Sequence, residues 1–214
     1  ATAFDSIFGL NGALLFKGFF WQPFTYIFLH AGWGHLVFNL FTMLFFGAAL
    51  EMEIGSRRFS RLFFIGGVLG GLGWLGVTAL MPCLPPMAKL TAWIPAAVRA
   101  FMQQTLHLEV GAKPATFQSA FCIGASGAVF ALLGGYAALF PTRVVYGVLL
   151  VIPFKMKART LAFLLMFLTV LDAVLIQTQV AYAAHLIGGI AGYILARRWR
   201  KENERYTVSH WSTE

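Results

Sequence analysis

Four polar residues of the types used in acyl transfer lie inside otherwise apolar stretches of this sequence. Ser126 stands in FCIGASGAVFALLGG, His185 in AHLIGGIAGY, and His35 and Asn39 in HLVFN. A serine becomes a nucleophile when a base takes its proton, and neutral histidine suits that role because its pKa lies near working pH. We therefore predict that Ser126 and His185 form a nucleophile and base pair. No carboxylate stands near His185 in the sequence, which favours a dyad over a triad.

The same reaction needs hydrogen-bond donors for the oxyanion that develops on the carbonyl under attack. His35 and Asn39 are four residues apart, so a helix would present both side chains on one face. We predict that these two side chains bind the oxyanion together with the backbone N–H of Ser126.

Each of these residues also has a structural interpretation. A serine in a membrane helix most often packs against a neighbouring helix, and a histidine can simply bond to one. The catalytic hypothesis is favoured because all four residues are expected at similar depth, with glycines beside them. Gly124 and Gly127 flank the serine, while Gly188 and Gly192 form a GxxxG spacing on the face of His185. Such small faces let two helices approach closely.

The elements that must position these residues are membrane helices. Of the 214 residues, 59% are hydrophobic and 11% are charged, and the mean hydropathy is +0.74. This composition excludes a soluble domain. We expect an all-α, polytopic membrane helix bundle with five visible spans, at residues 35–52, 62–81, 117–140, 160–180 and 180–196. The apolar run 144–154 is too short to cross, so it is expected to extend the preceding helix or to lie near the interface.

The basic residues indicate how these spans are oriented. Twelve of the 16 Lys and Arg residues fall in three segments, 57–61, 143–159 and 197–205, which the span assignment places on one side. By the positive-inside rule that side is cytoplasmic, so the C-terminus lies inside and segment 82–116 lies outside. The net charge of +8 therefore follows the membrane and predicts no nucleic-acid partner. Ser126 would lie nine residues into its span, or about 13 Å deep.

The number of spans bears on the start of the chain. Five spans and a cytoplasmic C-terminus require an outer start, yet residues 1–34 contain no secretory signal. We therefore expect a first span missing upstream. Three regions follow: an outer membrane-dipping loop at 1–34, a transmembrane core at 35–200 and a cytoplasmic tail at 201–214. The stretch TAWIPAAVRAFMQQTLHL predicts a short interfacial helix in the outer loop.

Three motifs of this chain resemble, in order, those of the rhomboid intramembrane serine proteases. They are HAGWGHLVFN with His30, His35 and Asn39, GASG around Ser126, and AHLIGGIAGY with His185. The resemblance covers residues 21–198 and implies a rhomboid-like fold. It implies that Ser126 is the nucleophile and His185 the base, with His35 and Asn39 helping the Ser126 amide to bind the oxyanion. It also implies that 1–34 is the family's first loop, following a first helix that is absent here.

The resemblance also implies an activity. It is the endoproteolytic cleavage of transmembrane segments of membrane proteins, by a serine and histidine dyad without a metal or other cofactor. Substrates would enter sideways from the lipid bilayer between the first and fourth spans of this chain. Phe38 and Leu165 occupy positions there that resemble the family's side gate. We expect an integral protein of a bacterial inner (plasma) membrane.

Three short stretches depart from the family pattern. The chain reads WQ at 21–22 where the family often has Trp-Arg, it reads EME at 51–53 after the first span, and Phe130 replaces a frequent tyrosine. These departures bear on the anchoring of the first loop and leave the dyad intact.

Other classes of protein require residues that can be sought in this sequence. A catalytically silent rhomboid-like protein that binds transmembrane helices ranks second, because both Ser126 and His185 are present. A transporter ranks third, since one polar cluster near the outer surface makes no path across the membrane. A zinc protease needs HExxH, which the sequence lacks. An aspartyl protease needs two intramembrane aspartates, whereas the aspartates are Asp5 and Asp172, the latter expected near the outer end of its helix.

Overall fold

A computed structural model describes residues 3–80, 95–97, 120–149, 152–171 and 181–211 of this mainly helical chain. The predicted interfacial helix, except for residues 95–97, and Asp172 lie outside the described residues. The elements are α1 (Ala3–Phe8), α2 (Gly12–Phe16), α3 (Gln22–Thr25), a 3-10 turn (Tyr26–Phe28), α4 (Trp33–Thr42), a π-helical segment (Met43–Gly47), α5 (Ala48–Leu80), α6 (Ser126–Leu139), β1 (Val144–Leu149), β2 (Ile152–Lys157), α7 (Ala158–Leu171) and α8 (Tyr182–Trp211).

Gly55 divides the longest helical run within the described residues into two helices. Its φ of 75° and ψ of 157° lie in a region that is essentially restricted to glycine. The chain reverses direction at Gly55, as a contact between residues on either side of it shows. The ring of Phe59 lies 3.1 Å from the position that a Cβ on Gly47 would occupy. A straight helix would separate residues 47 and 59 by about 18 Å. Residues 33–54 and 56–80 therefore fold back against each other, and each is long enough to cross a hydrocarbon core of about 30 Å.

The helical content agrees with the predicted membrane bundle. Within the described residues, Trp33–Leu80 is long and apolar enough to cross a membrane by length and composition. α6 and α7 are also apolar, but each has 14 residues. The count of five spans, their orientation and the three-region division stay predictions.

The helix predicted for residues 117–140 begins later than expected, at Ser126. Cys122 pairs with Leu10 through two backbone hydrogen bonds of 2.9 Å, so the chain before the serine is extended. Gly124 has a φ of 125°, which an α-helix cannot contain. The depth of about 13 Å was calculated from a helix start at residue 117, so the helical rise on which it rests does not apply. Ser126 is instead the first residue of α6.

A two-stranded antiparallel hairpin follows α6, so the expectation of an all-α fold is wrong at this point. Its register runs from Val144 opposite Lys157 to Leu149 opposite Ile152. The prediction that 144–154 extends the preceding helix fails because Pro141 follows Phe140 and disfavours helical backbone there. The sequence VVYGVL that comes next is rich in β-branched residues, which favour strands. The alternative placement near the membrane interface stays a prediction.

α6 and α8 pack through glycines at very short range. A Cβ on Gly188 would collide with the carbonyl oxygen of Gly127, and one on Gly192 would collide with that of Ala131. Small residues of this kind let helix backbones touch in membrane bundles. The first turns of the two helices are brought together as a result.

A buried amide anchors the loop that precedes α4. The fully buried Gln22 accepts a hydrogen bond from the backbone N–H of Asn11 at 3.1 Å. Its Nε2 donates to the carbonyls of Ser6 and Ile7, at 3.3 and 3.4 Å. Asn11 in turn donates to the Ala120 carbonyl at 2.8 Å, which ties the loop to the segment that leads into α6. A neutral side chain therefore anchors the loop at the position where the family often has arginine.

Replacing this amide should loosen the loop. We expect Gln22→Leu to destabilise the protein by about 1–3 kcal/mol, because a lost partner at a buried polar group costs that much. The measurement is the thermal unfolding midpoint in detergent, with Phe20→Leu as the control because that side chain is exposed. An unchanged midpoint for Gln22→Leu would contradict the anchoring role.

Candidate active site

The side chains of Ser126 and His185 meet between the first turns of α6 and α8. The distance from Ser126 Oγ to His185 Nε2 is 2.7 Å, and both residues are partly buried. At this distance the serine hydroxyl can donate to a neutral imidazole. A general base must hold this position to take the hydroxyl proton as the oxygen attacks.

The ring of Phe130 fixes the plane of the His185 imidazole. The two rings are stacked with centroids 4.5 Å apart and an interplanar angle of 1°. Phe130 lies four residues after Ser126 on α6, so it projects from the same face one turn further along. The sequence indicated Phe130 only as a departure from a family pattern. Its i+4 spacing from the serine was the signal for this contact.

His35 lies against the backbone that leads into the serine. Its Nε2 is 3.1 Å from where a Cβ on Gly124 would stand. Its Nδ1 accepts a long hydrogen bond, 3.4 Å, from the backbone N–H of Ala31. A neutral imidazole that accepts at Nδ1 carries its proton on Nε2. His35 therefore presents a donor beside the Gly124 backbone.

Asn39 is buried on α4 and bonds within its own helix. Its Nδ2 donates to the carbonyl of His35 at 2.9 Å. An amide nitrogen carries two N–H groups, so this bond uses one of them. His35 therefore lies beside the Gly124 turn, whereas the side chain of Asn39 bonds to a carbonyl of its own helix.

His30 packs beside His35 on the side of the preceding loop. The two rings meet edge to face with centroids 5.2 Å apart. Burial lowers the pKa of His30 below its ordinary value by disfavouring the charged imidazolium. His30 Nε2 is buried and has no hydrogen-bond partner within the described part of the chain. Within that part no group of three or more His, Cys, Asp or Glu residues could hold a metal ion.

The turn before Ser126 is hydrogen-bonded to Tyr26, which is itself hydrogen-bonded to α5. The N–H of Gly124 donates to the Tyr26 carbonyl at 2.9 Å, and the Tyr26 hydroxyl donates to the Gly67 carbonyl on α5 at 2.6 Å. Because Ser126 is the first residue of α6, its own N–H has no acceptor within that helix. An amide in this position can donate to an oxyanion.

The two predicted gate residues lie on different helices. Phe38 is 66% exposed on α4, and Leu165 on α7 is partly buried against the core. Both helices expose further large apolar side chains: Val37, Phe41 and Leu44 on the α4 side, and Phe163, Phe167 and Leu168 on α7. The gate assignment stays a prediction.

Comparison with known proteins places these features in a family. The chain matches the Rhomboid domain over residues 17–201. It is 36% identical over 69 residues to the predicted rhomboid protease YdcA of Bacillus subtilis (strain 168), a stretch that covers 32% of this chain and 34% of that protein. It is 42% identical over 52 residues to RHOMBOID-like protein 1 of Arabidopsis thaliana, covering 24% of this chain and 13% of that protein. The domain match spans most of the chain and includes every residue of the candidate site, and the chain therefore belongs to the rhomboid family.

Proposed function

We propose that this protein is an intramembrane serine endopeptidase that cleaves transmembrane segments of membrane proteins. The observation that carries the proposal is the 2.7 Å hydrogen bond between Ser126 Oγ and His185 Nε2 in a member of the rhomboid family. A serine placed only for helix packing needs no base at hydrogen-bond distance.

The reaction proceeds in two halves through a covalent intermediate. His185 Nε2 takes the hydroxyl proton as Ser126 Oγ bonds to the carbonyl carbon of the substrate. His185 then gives this proton to the amide nitrogen as the C–N bond breaks, which leaves an ester on the serine. Water attacks the ester with His185 again as the base, and the proton returns to Ser126 as the carboxyl product leaves.

Three donors serve the oxyanion of each tetrahedral intermediate. They are the Ser126 N–H, His35 Nε2–H and one N–H of the Asn39 amide. The position of Ser126 at the start of α6 supports the first assignment, and the contact of His35 with the Gly124 turn supports the second. Donors held in place before the reaction stabilise the transition state without reorganisation.

The arrangement of basic residues supports an outer location for the cleavage. Arg58 lies over the Trp199 ring at 5.8 Å, and Trp199 is 14 residues beyond His185 on α8. That spacing corresponds to about 21 Å along the helix. Since arginine-rich ends of membrane proteins face the cytoplasm, the dyad at the opposite end faces outward.

Substrates enter from the lipid, past the exposed apolar faces of α4 and α7. The carbonyl groups of a transmembrane helix are hydrogen-bonded internally, so a turn of substrate must unwind before Ser126 can attack. Phe38 and Leu165 flank the proposed path. The substrate class is therefore a transmembrane segment that unwinds easily.

Loss of either dyad residue should abolish turnover. We expect Ser126→Ala and His185→Ala each to reduce cleavage of a transmembrane substrate by about 10⁶-fold, because nucleophile and base act as one unit. Ser60→Ala is the matched control, since this exposed serine lies on α5 away from the site. Cleavage by purified protein in bilayers is measured, with circular dichroism to verify folding. Substantial cleavage by either variant would refute the dyad, and a wild-type protein that binds substrate without cutting it would favour the catalytically silent alternative.

The oxyanion donors should affect turnover more than binding. His35→Ala or Asn39→Ala is expected to lower kcat by about 10²–10³-fold with little change in KM, because such donors act mainly in the transition state. Thr42→Ala is the control, since the Thr42 hydroxyl, like the Asn39 amide, donates to a backbone carbonyl of α4, that of Phe38. A rise in KM at constant kcat would show that these side chains bind the ground state instead.

The cut should fall on the outer side of the membrane, near helix-breaking residues of the substrate. Replacing a glycine near the cut by leucine should slow cleavage by about fivefold, and replacing a proline should slow it more, because unwinding then costs more. Mass spectrometry of products from a substrate of known topology gives the site. Leucine substitutions far from the cut are the control. A cytoplasmic cut would show that the proposed outer location is wrong, and a rate indifferent to the nearby helix-breaking residues would show that the unwinding requirement is wrong.

A further inference from the structure

A cavity opens at the Gly55 turn, at the end of the bundle opposite to Ser126. It has a volume of about 570 Å³ and is lined by Ile54, Gly55, Ser56, Arg57, Arg58 and Arg61. We call it the arginine cavity. Its volume falls within the range of small-molecule sites. Within the described residues its lining holds three cationic side chains and no carboxylate.

The three guanidinium groups stand in different settings around this opening. Arg57 and Arg61 are exposed and lie one helical turn apart. Arg58 is partly buried and lies over the Trp199 ring of α8 at 5.8 Å. A planar guanidinium can donate to two oxygens of one phosphate group at once.

An apolar stripe continues from the arginine cavity along the same helix. After Arg61, exposed apolar residues recur at helical spacings of three or four residues, so they lie along one side of the helix. They are Phe64, Ile65, Leu69 and Leu72. From Arg61 to Leu72 the helix rises about 16 Å, which is the thickness of one leaflet of the hydrocarbon core. A phosphate next to acyl chains would match the cavity and the stripe together, whereas a free phosphate would use only the cavity.

We propose that the arginine cavity binds the headgroup phosphate of an anionic phospholipid, with the acyl chains along the stripe at residues 64–72. The site uses none of the residues of the dyad and is independent of the proposed proteolysis. Its position at the turn between residues 33–54 and 56–80 means that a bound lipid contacts the turn joining these two helices. A ligand that binds only the folded state also stabilises it.

The test compares two lipids and two variants of equal charge change. The wild-type protein in neutral detergent is titrated with phosphatidylglycerol or with phosphatidylcholine of the same acyl chains, and bound lipid is counted by native mass spectrometry. We expect tighter binding of phosphatidylglycerol by at least about tenfold. Arg57→Gln/Arg61→Gln should weaken its binding by about 30-fold. Arg197→Gln/Arg198→Gln, at exposed positions outside the cavity lining, should change it by less than about twofold.

Three results would overturn the proposal. Equal loss in both double variants would mean that only surface charge attracts the lipid. Equal binding of the two lipids, which both carry a phosphate, would show that the cavity does not select an anionic headgroup. Displacement of phosphatidylglycerol by millimolar inorganic phosphate would indicate a free-anion site instead. Should the glutamine variant fail to fold, Arg57→Lys/Arg61→Lys keeps the charge, and it should still prefer phosphatidylglycerol but bind it more weakly than the wild type.

Discussion

The backbone contact between α6 and α8 is the constraint on which the rest of this structure depends. Any side chain at Gly188 or Gly192 would overlap the carbonyl oxygens of Gly127 or Ala131, so the two helices touch at the shortest separation that glycine permits. The 2.7 Å bond between Ser126 and His185 forms where these helices begin, and a wider spacing would break it. Packing and chemistry therefore depend on the same small residues.

Polar groups within this bundle are satisfied by hydrogen bonds to other groups of the protein, as an apolar solvent requires. Gln22 and Asn11 satisfy each other and nearby carbonyls, and Thr78 donates to the Leu75 carbonyl at 3.0 Å. The buried Nε2 of His30, beside His35, is the exception within the described residues. This unpaired ring nitrogen lies next to the candidate site, where a water molecule or a substrate group can form a hydrogen bond with it.

The sequence predicted the structure well where function requires particular residues at a particular spacing. It predicted the structure less well where contacts between distant segments determine the backbone conformation. The spacing of His35 and Asn39 and the glycines of α8 indicated helices, and those helices are present. The start of α6 was not predictable locally, because it depends on Leu10 pairing with Cys122, more than a hundred residues away. The hairpin after Phe140 was misread because a short apolar run has no distinct period, although Pro141 was a local signal. The anchoring by Gln22 likewise depends on partners that only the fold brings close.

Activation of Ser126 by His185 can be measured through the reaction of the intact protein with a serine-directed fluorophosphonate. The labelled residue is identified by peptide mass spectrometry, and the labelling rate is compared between wild type and His185→Ala. We expect labelling at Ser126 alone among the serines, and a loss of that labelling when the base is removed. Equal labelling of Ser126 in the absence of His185, or no labelling of the wild type, would contradict it.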